Sequence, residues 1–284
     1  EYAFDINRYH SASILLGEES IYSKADGFAA SREGLTDARM LLLTNATEEP
    51  AVTQAVSETV FNSLFAKAAW SYMEKYYLDA SIRGDGSSRF TKENRWALFW
   101  SVGGRWNMMK EIWMNPVSSW LNQLDLKASY GTTGNSSIDD YMYMGLASSQ
   151  GVQYDNQTGL LISQQSIGDL TWETTAQANL GIEFRVFDRL SVGIDYYDKT
   201  TSNMLLSIPY SYTTGFSAGM GNIGSMKNVG TDMSINVDIL KGKDLFWSFY
   251  ANANYNKNTI TALFNGLDEY VMSNTGQKLQ VGKP

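Results

Sequence analysis

Ala178-Asn179-Leu180-Gly181-Ile182-Glu183-Phe184-Arg185-Val186 runs into Phe187-Asp188-Arg189 and then into Leu190-Ser191-Val192-Gly193-Ile194-Asp195-Tyr196-Tyr197. On both sides of the central triplet every second residue is apolar: Ala178, Leu180, Ile182, Phe184 and Val186, then Leu190, Val192, Ile194 and Tyr196. The positions between carry amide, glycine, hydroxyl or charge. Successive side chains of a strand point to opposite faces. The stretch therefore reads as two strands joined by a tight turn, each with one apolar and one polar face.

The same period returns along the chain. Tyr76, Leu78, Ala80 and Ile82 alternate with polar residues, as do Leu124, Leu126, Ala128 and Tyr130. So do Met233, Ile235, Val237 and Ile239, and Trp247, Phe249, Ala251, Ala253 and Tyr255. The segments are about 10 to 14 residues long, against about 5–6 in most globular sheets. A tilted membrane-crossing strand needs about 9–11. Nine strands are expected, at 7–19, 59–73, 76–85, 95–107, 123–131, 174–186, 190–199, 229–240 and 245–258.

The links between them alternate in kind. Residues 20–58, Thr132–Glu173 and Thr200–Asn228 read as long loops, and Gly86–Asn94 as a medium one. Glu74-Lys75, Phe187-Asp188-Arg189 and Lys241–Asp244 read as tight turns. Met108–Asn122 is compact, with a short helix expected around Lys110–Trp120, and the chain after Thr259 reads as loop. Short turns at one rim and long loops at the other imply an all-β, antiparallel up-and-down transmembrane β-barrel. Greek-key sandwiches give no reason for that parity. Aromatics near strand ends, among them Trp70, Tyr72, Tyr76, Trp106, Tyr196 and Trp247, suit girdles at the two membrane interfaces.

Composition narrows the chemistry. The 284 residues contain no cysteine and one histidine, His10, so disulfide scaffolds, cysteine–zinc sites and histidine-based triads are disfavoured. A net charge of −8 supplies no basic stripe for nucleic acid. The longest uncharged run, Thr200–Met226, is filled with Ser, Thr, Gly, Asn and Pro209 and does not read as a spanning helix.

Several segments, in order, resemble the SusC/RagA-like TonB-dependent outer-membrane transporters. They are Arg83-Gly84-Asp85-Gly86-Ser87-Ser88-Arg89-Phe90 with Asn94-Arg95-Trp96, and Leu126-Lys127-Ala128-Ser129-Tyr130-Gly131-Thr132-Thr133-Gly134-Asn135. Leu170-Thr171-Trp172-Glu173-Thr174-Thr175, Asp195-Tyr196-Tyr197-Asp198-Lys199, Asn222–Asn228 and Tyr255-Asn256-Lys257-Asn258 complete the set. Trp100 departs from a frequent proline, and Thr231-Asp232 from a usual Val-Glu pair. The resemblance implies the outer membrane of a Gram-negative, Bacteroidetes-like bacterium, a plug, and a barrel of about 22 strands. On that reading residues 1–284 are part of one barrel domain, without the plug and the terminal strands, with open edges near 7–19 and 245–258. It implies TonB-dependent uptake of oligosaccharides or peptides, with a SusD-like surface lipoprotein, TonB–ExbB–ExbD and outer-membrane lipid as partners. The alternative is a secreted, soluble β-rich carbohydrate-binding module.

Within Ile138–Asn156, the residues Tyr141, Tyr143 and Tyr154 stand beside Met142, Met144, Gln150, Gln153 and Asn156. Aromatic faces flanked by amides suit sugar rings and peptides, which makes these three tyrosines the candidate substrate-binding residues; loop-on-loop packing is the competing reading. Gly219-Met220-Gly221-Asn222-Ile223-Gly224 fits a dinucleotide fingerprint but lacks the strand-to-helix context, and reads as a flexible loop. Asp85, Asp139 and Asp140 read as solvated loop charge, and His10 as a lumen or surface side chain. Neither catalysis, nor a metal, nor an organic cofactor is expected.

Overall fold

The computed structural model describes residues 1–283 except 150–152, 156 and 272–275. The wall strands begin with β1 (Tyr2–Asn7), β2 (His10–Ser31), β3 (Ala51–Tyr72), β4 (Tyr76–Ser87), β5 (Trp96–Asn107) and β6 (Leu121–Asn135). Short strands follow: β7 (Leu146–Ser148), β8 (Gln153–Tyr154), β9 (Gln157–Thr158) and β10 (Leu161–Gln164). The wall resumes with β11 (Glu173–Val186), β12 (Leu190–Pro209), β13 (Ala218–Lys241) and β14 (Phe246–Ala262), and β15 (Glu269–Val271) and β16 (Lys278–Gln280) end the series. Among the described residues, β1 to β6 and β11 to β14 form one antiparallel sheet in chain order, with β1 and β14 at its edges.

Register shows how the alternation builds two faces. One row runs Trp70, Leu78, Gly104, Ala128, Leu180, Tyr196 across six strands. The next row runs Ser71, Tyr77, Arg105, Lys127, Gly181, Asp195, Asp232, Asn254. The first row's face leaves Leu16, Leu64, Leu78, Leu98 and Leu180 more than half exposed. A continuous exposed apolar face marks a surface that meets something other than water, and on alternating strands of this length it is the lipid face of a barrel wall.

The rims are as the loop parity predicts. At one, Met73 N–H donates to Tyr9 O at 2.8 Å, Asn107 N–H to Lys75 O at 2.7 Å and Phe187 N–H to Trp120 O at 2.7 Å, stitching neighbouring short links together. The turns Met73-Glu74 and Phe187-Asp188 both have positive φ at their two central residues, the type I′ geometry that matches strand twist. Loops 32–50, 88–95 and 210–217 and the described parts of 136–172 lie at the opposite rim.

Four expectations are corrected. Segment 7–19 is interrupted by a turn: Asn7 Oδ1 accepts the N–H groups of Tyr9 and His10, so β1 and β2 form a hairpin and β1 is the edge. Most of 20–58 and of 200–228 is strand, since β2, β3, β12 and β13 continue well past the apolar alternation. The helix expected at Lys110–Trp120 is two 3₁₀ segments, Met108–Lys110 and Ile112–Val117, the second containing Pro116. The tail after Thr259 carries the end of β14 and the β15–β16 hairpin.

Ile182 lies on the lipid face and Glu183 on the polar one, where Lys127 pairs with it. An arginine at the midplane of a barrel's lipid face costs about 2–4 kcal/mol. Ile182→Arg is expected to cut assembly of the full-length protein in the membrane, measured by heat-modifiable gel mobility, while Glu183→Gln assembles like the wild type. Equal assembly of the two variants would contradict the face assignment.

Candidate functional site

The polar face is the lumen side of the wall. Tyr77, Arg105, Lys127, Asn179, Asp195 and Tyr197 border a concavity of about 660 Å³ on it. Arg105 stacks over the Tyr77 ring at 4.1 Å, and Tyr197 donates its hydroxyl to Asn256 Oδ1 at 3.2 Å. Asp195 stands opposite Asp232, which accepts from the Asn254 amide. The surface offers charges of both signs, amides and hydroxyls, the lining of a polar passage. A second hollow, of about 810 Å³, lies on the lipid face between Trp70, Trp106, Leu126, Leu180 and Tyr196 over Gly104.

At the short-turn rim a row of rings crosses the apolar face. Trp70 and Tyr72 lie 6.3 Å apart, Tyr72 and Tyr76 6.3 Å, and Tyr76 and Trp106 6.1 Å, each pair near-parallel. Glu111 ties the row to the connection after β5: Tyr76 Oη donates to it at 2.7 Å, Trp106 Nε1 at 3.3 Å and Lys75 Nζ at 3.2 Å. His10 joins this girdle, with its Nδ1 accepting from Trp70 Nε1 at 3.2 Å and its ring 4.7 Å from that of Tyr72.

At the long-loop rim, the loop after β6 folds onto the wall. Phe90, Phe99, Ile138, Leu170 and Trp172 form a buried cluster there. Trp172 Nε1 donates to Arg95 O at 3.1 Å, and Asn94 Nδ2 to Leu170 O at 3.1 Å. A Cβ on Gly134 would run into the Phe99 ring, so glycine at this point of β6 leaves room for that ring in the cluster.

The segment 83–90 supplies the pins of this rim. Arg83 bonds Asp85 at 2.6 Å, Glu19 at 2.7 Å and Ser63 at 2.8 Å. Ser88 Oγ accepts the Val60 N–H at 2.9 Å. Arg89 Nε donates to Asp140 Oδ1 at 2.8 Å, and Thr59 Oγ1 donates to the same oxygen at 2.8 Å. Asp85 and Asp140 are thus paired, partly buried rim residues, which corrects their reading as solvated charge. Asp85 had a local sign, since Arg83 shares its strand face; Asp140 had none, because its partner lies 51 residues away. Asn222 had no sign either: it exchanges both amide bonds with the Thr171 backbone, at 2.8 and 2.7 Å. The segment Gly219–Gly224 is part of β13, where Tyr210, Ile208 and Leu206 lie across its glycines; it is strand and not a loose loop.

Of the candidate tyrosines, Tyr141 and Tyr143 share one turn. Tyr141 has φ of 66°, and its hydroxyl accepts the Glu58 N–H at 2.9 Å. Tyr143 packs against the Phe90–Trp172 cluster, and its carbonyl accepts from Ser166 Oγ at 3.1 Å and Ile167 N at 3.1 Å. Tyr154 sits in β8, paired with Gln157 of β9. Gln150 and Asn156 lie outside the described residues, as do the side chains of Gln153 and Tyr154.

A sheet with a continuous apolar face, an aromatic row at one rim, long loops at the other and a polar inner face defines the wall of an outer-membrane β-barrel. Residues 8–281 match the TonB dependent receptor-like, β-barrel family, and the chain belongs to it. TonB-dependent receptor P39 of Formosa agariphila is 38% identical over 220 residues, 77% of this chain and 20% of that protein. TonB-dependent receptor SusC of Bacteroides thetaiotaomicron is 33% identical over 228 residues, 78% of this chain and 23% of that protein. The RagAB peptide importer in its closed-closed state superposes with a TM-score of 0.91 at 37% identity, covering 100% of this chain and 32% of that one. The chain thus spans about a fifth of the curated relatives it matches.

The Arg89 hydrogen bond holds the Asp140 carboxyl below the usual carboxylate range; burial works against it, and the Thr59 and Ser57 hydroxyls add to it. A carboxyl with a depressed folded pKa contributes stability that is full at neutral pH and is lost as pH falls through that value. Asp140→Asn is expected to make loop 136–145 of the full-length protein cleavable by added protease at neutral pH. The wild type is expected to reach the same state only below about pH 4. Equal cleavage of the two at neutral pH would contradict the clasp.

Proposed function

We propose that residues 1–284 form part of the wall of a nutrient importer whose plug and further strands come from sequence beyond them. The cargo is an oligosaccharide or a peptide. A SusD-like surface lipoprotein closes the long-loop rim, and TonB–ExbB–ExbD drives release into the periplasm. The loop carrying Tyr141, Tyr143 and Tyr154 is the ligand-facing element of this stretch. The observation that carries the reading is the pairing of a lipid face with a charged and amide-bearing lumen face in a wall of this family. The peptide class is that of a similar solved importer, and the oligosaccharide class is what the resemblance of the sequence motifs implies. Family membership and the bare apolar face disfavour the soluble carbohydrate-binding alternative.

The test is uptake by cells that make the full-length protein with its native neighbours, using labelled oligosaccharide and peptide mixtures. Uptake of one class is expected, lost on removal of TonB and on collapse of the proton gradient. Accumulation that persists without TonB would overturn the proposal.

A further inference from the structure

The hairpin of β2 and β3 carries an edge that the rest of the wall leaves open. β3 pairs with β4 only from Phe61 to Tyr72, whereas its pairing with β2 continues to Ala51 without a register shift. Ten residues of β3 thus rise past the end of β4, roughly 33 Å at about 3.3 Å each.

Parity fixes which backbone groups face that side. Val60 N–H donates to Ser88 Oγ and its carbonyl accepts the Ser88 N–H, so the even-numbered residues of β3 turn their backbone groups toward β4. Glu58 N–H is taken by the Tyr141 hydroxyl. Above it, the N–H and C=O groups of Val52, Gln54 and Val56 point the same way, and among the described residues no hydrogen bond reaches them. Among the described residues, the capping of this edge by the protein's own loops stops at Tyr141.

Natural edge strands are protected by charges, prolines, bulges or short length. Between Ala51 and Ser57 there is no charge, no proline and no bulge, and the residues are Ala, Val, Thr, Gln, Ala, Val and Ser. Such an edge is a template for strand addition, in which main-chain hydrogen bonds supply affinity. The ends of this edge are acidic: Glu48 and Glu49 precede it, Asp26 lies across from Val56, and Glu58, paired with Lys24, follows it, with Arg32 as the other nearby cation. A strand seated on Val52–Val56 would end beside Tyr141 and the ligand-facing loop.

We propose that the edge Val52–Val56 of β3 binds an extended, cationic peptide as an added strand. The inference rests on the peptide branch of the function proposed above and names the element that would hold the cargo.

The test uses the full-length transporter in detergent. The probe is a fluorescent eight-residue Lys/Thr/Val peptide, with a twin N-methylated at alternate residues. Gln54→Pro removes one outward N–H without touching the pairing to β2, and Gln54→Ala loses the same side chain but keeps the N–H. Gln54→Pro is expected to weaken binding by about ten-fold or more, and Gln54→Ala to stay within about two-fold. The N-methylated twin should bind as weakly to the wild type as the parent peptide binds to Gln54→Pro. In hydrogen exchange, the amides of Val52, Gln54 and Val56 should exchange fast alone and slow with peptide. Equal binding by the two variants, or amides already protected without peptide, would overturn the edge assignment and leave the peptide reading standing. A wild-type protein that binds neither this peptide nor a neutral analogue would overturn the peptide reading, and this inference with it.

Discussion

Inside a bilayer, backbone N–H and C=O groups have no water to bond, so each must find a partner in the protein. Long antiparallel strands meet that demand by pairing with both chain neighbours, and only a barrel has no edge left over. Everything else in residues 1–284 follows from where that demand applies. Within the membrane band the ladders from β3 to β13 run side by side with few interruptions. Above the band water can serve the backbone, and there strands lengthen, bulge and part company. Thr201, Met204 and Leu205 mark one such irregularity in the pairing of β12 with β13, and the open stretch of β3 is another.

Side chains then sort by the medium they meet. The same pleat that sends Leu180, Ile182 and Phe184 to lipid sends Asn179, Glu183 and Arg185 to the lumen, so a single period encodes both an anchor and a passage. The rims are fixed by different means. At the short-turn rim, stacked rings and the Glu111 hub hold the links in place. At the long-loop rim, a small apolar cluster and the Arg89–Asp140–Thr59 clasp fold the loop after β6 against the wall.

The fold was readable in the sequence where lipid contact writes the period, and unreadable where it does not. Segments 174–186 and 76–85 are clean alternations and lie in the sheet nearly as expected. The upper halves of β2, β3, β12 and β13 escaped because strands bathed in water on both sides need no alternation. The β1–β2 turn escaped because its cause is a single side chain, Asn7, bonding two backbone groups. Glycine spacing misled at Gly219–Gly224, where the small residues make room for Tyr210, Ile208 and Leu206 across the strands. Of the candidate site, the sequence marked the right loop. It could not show that the Tyr141 hydroxyl is engaged by Glu58, nor that Tyr143 packs into the rim cluster, because both contacts join residues far apart in the chain.

A wall of this family crosses the outer membrane with the tight turns inside and the long loops outside. Residues 1–284 contain no cysteine, so single probes can be placed in them once any cysteine elsewhere in the full-length protein is replaced. Thr213→Cys, in the loop between β12 and β13, and Asp188→Cys, in the β11–β12 turn, sit at opposite ends of β12. On intact cells a membrane-impermeant maleimide should label Cys at position 213 only, and label position 188 only after the outer membrane is broken. Labelling of position 188 on intact cells, or of both positions together, would rule out that sidedness.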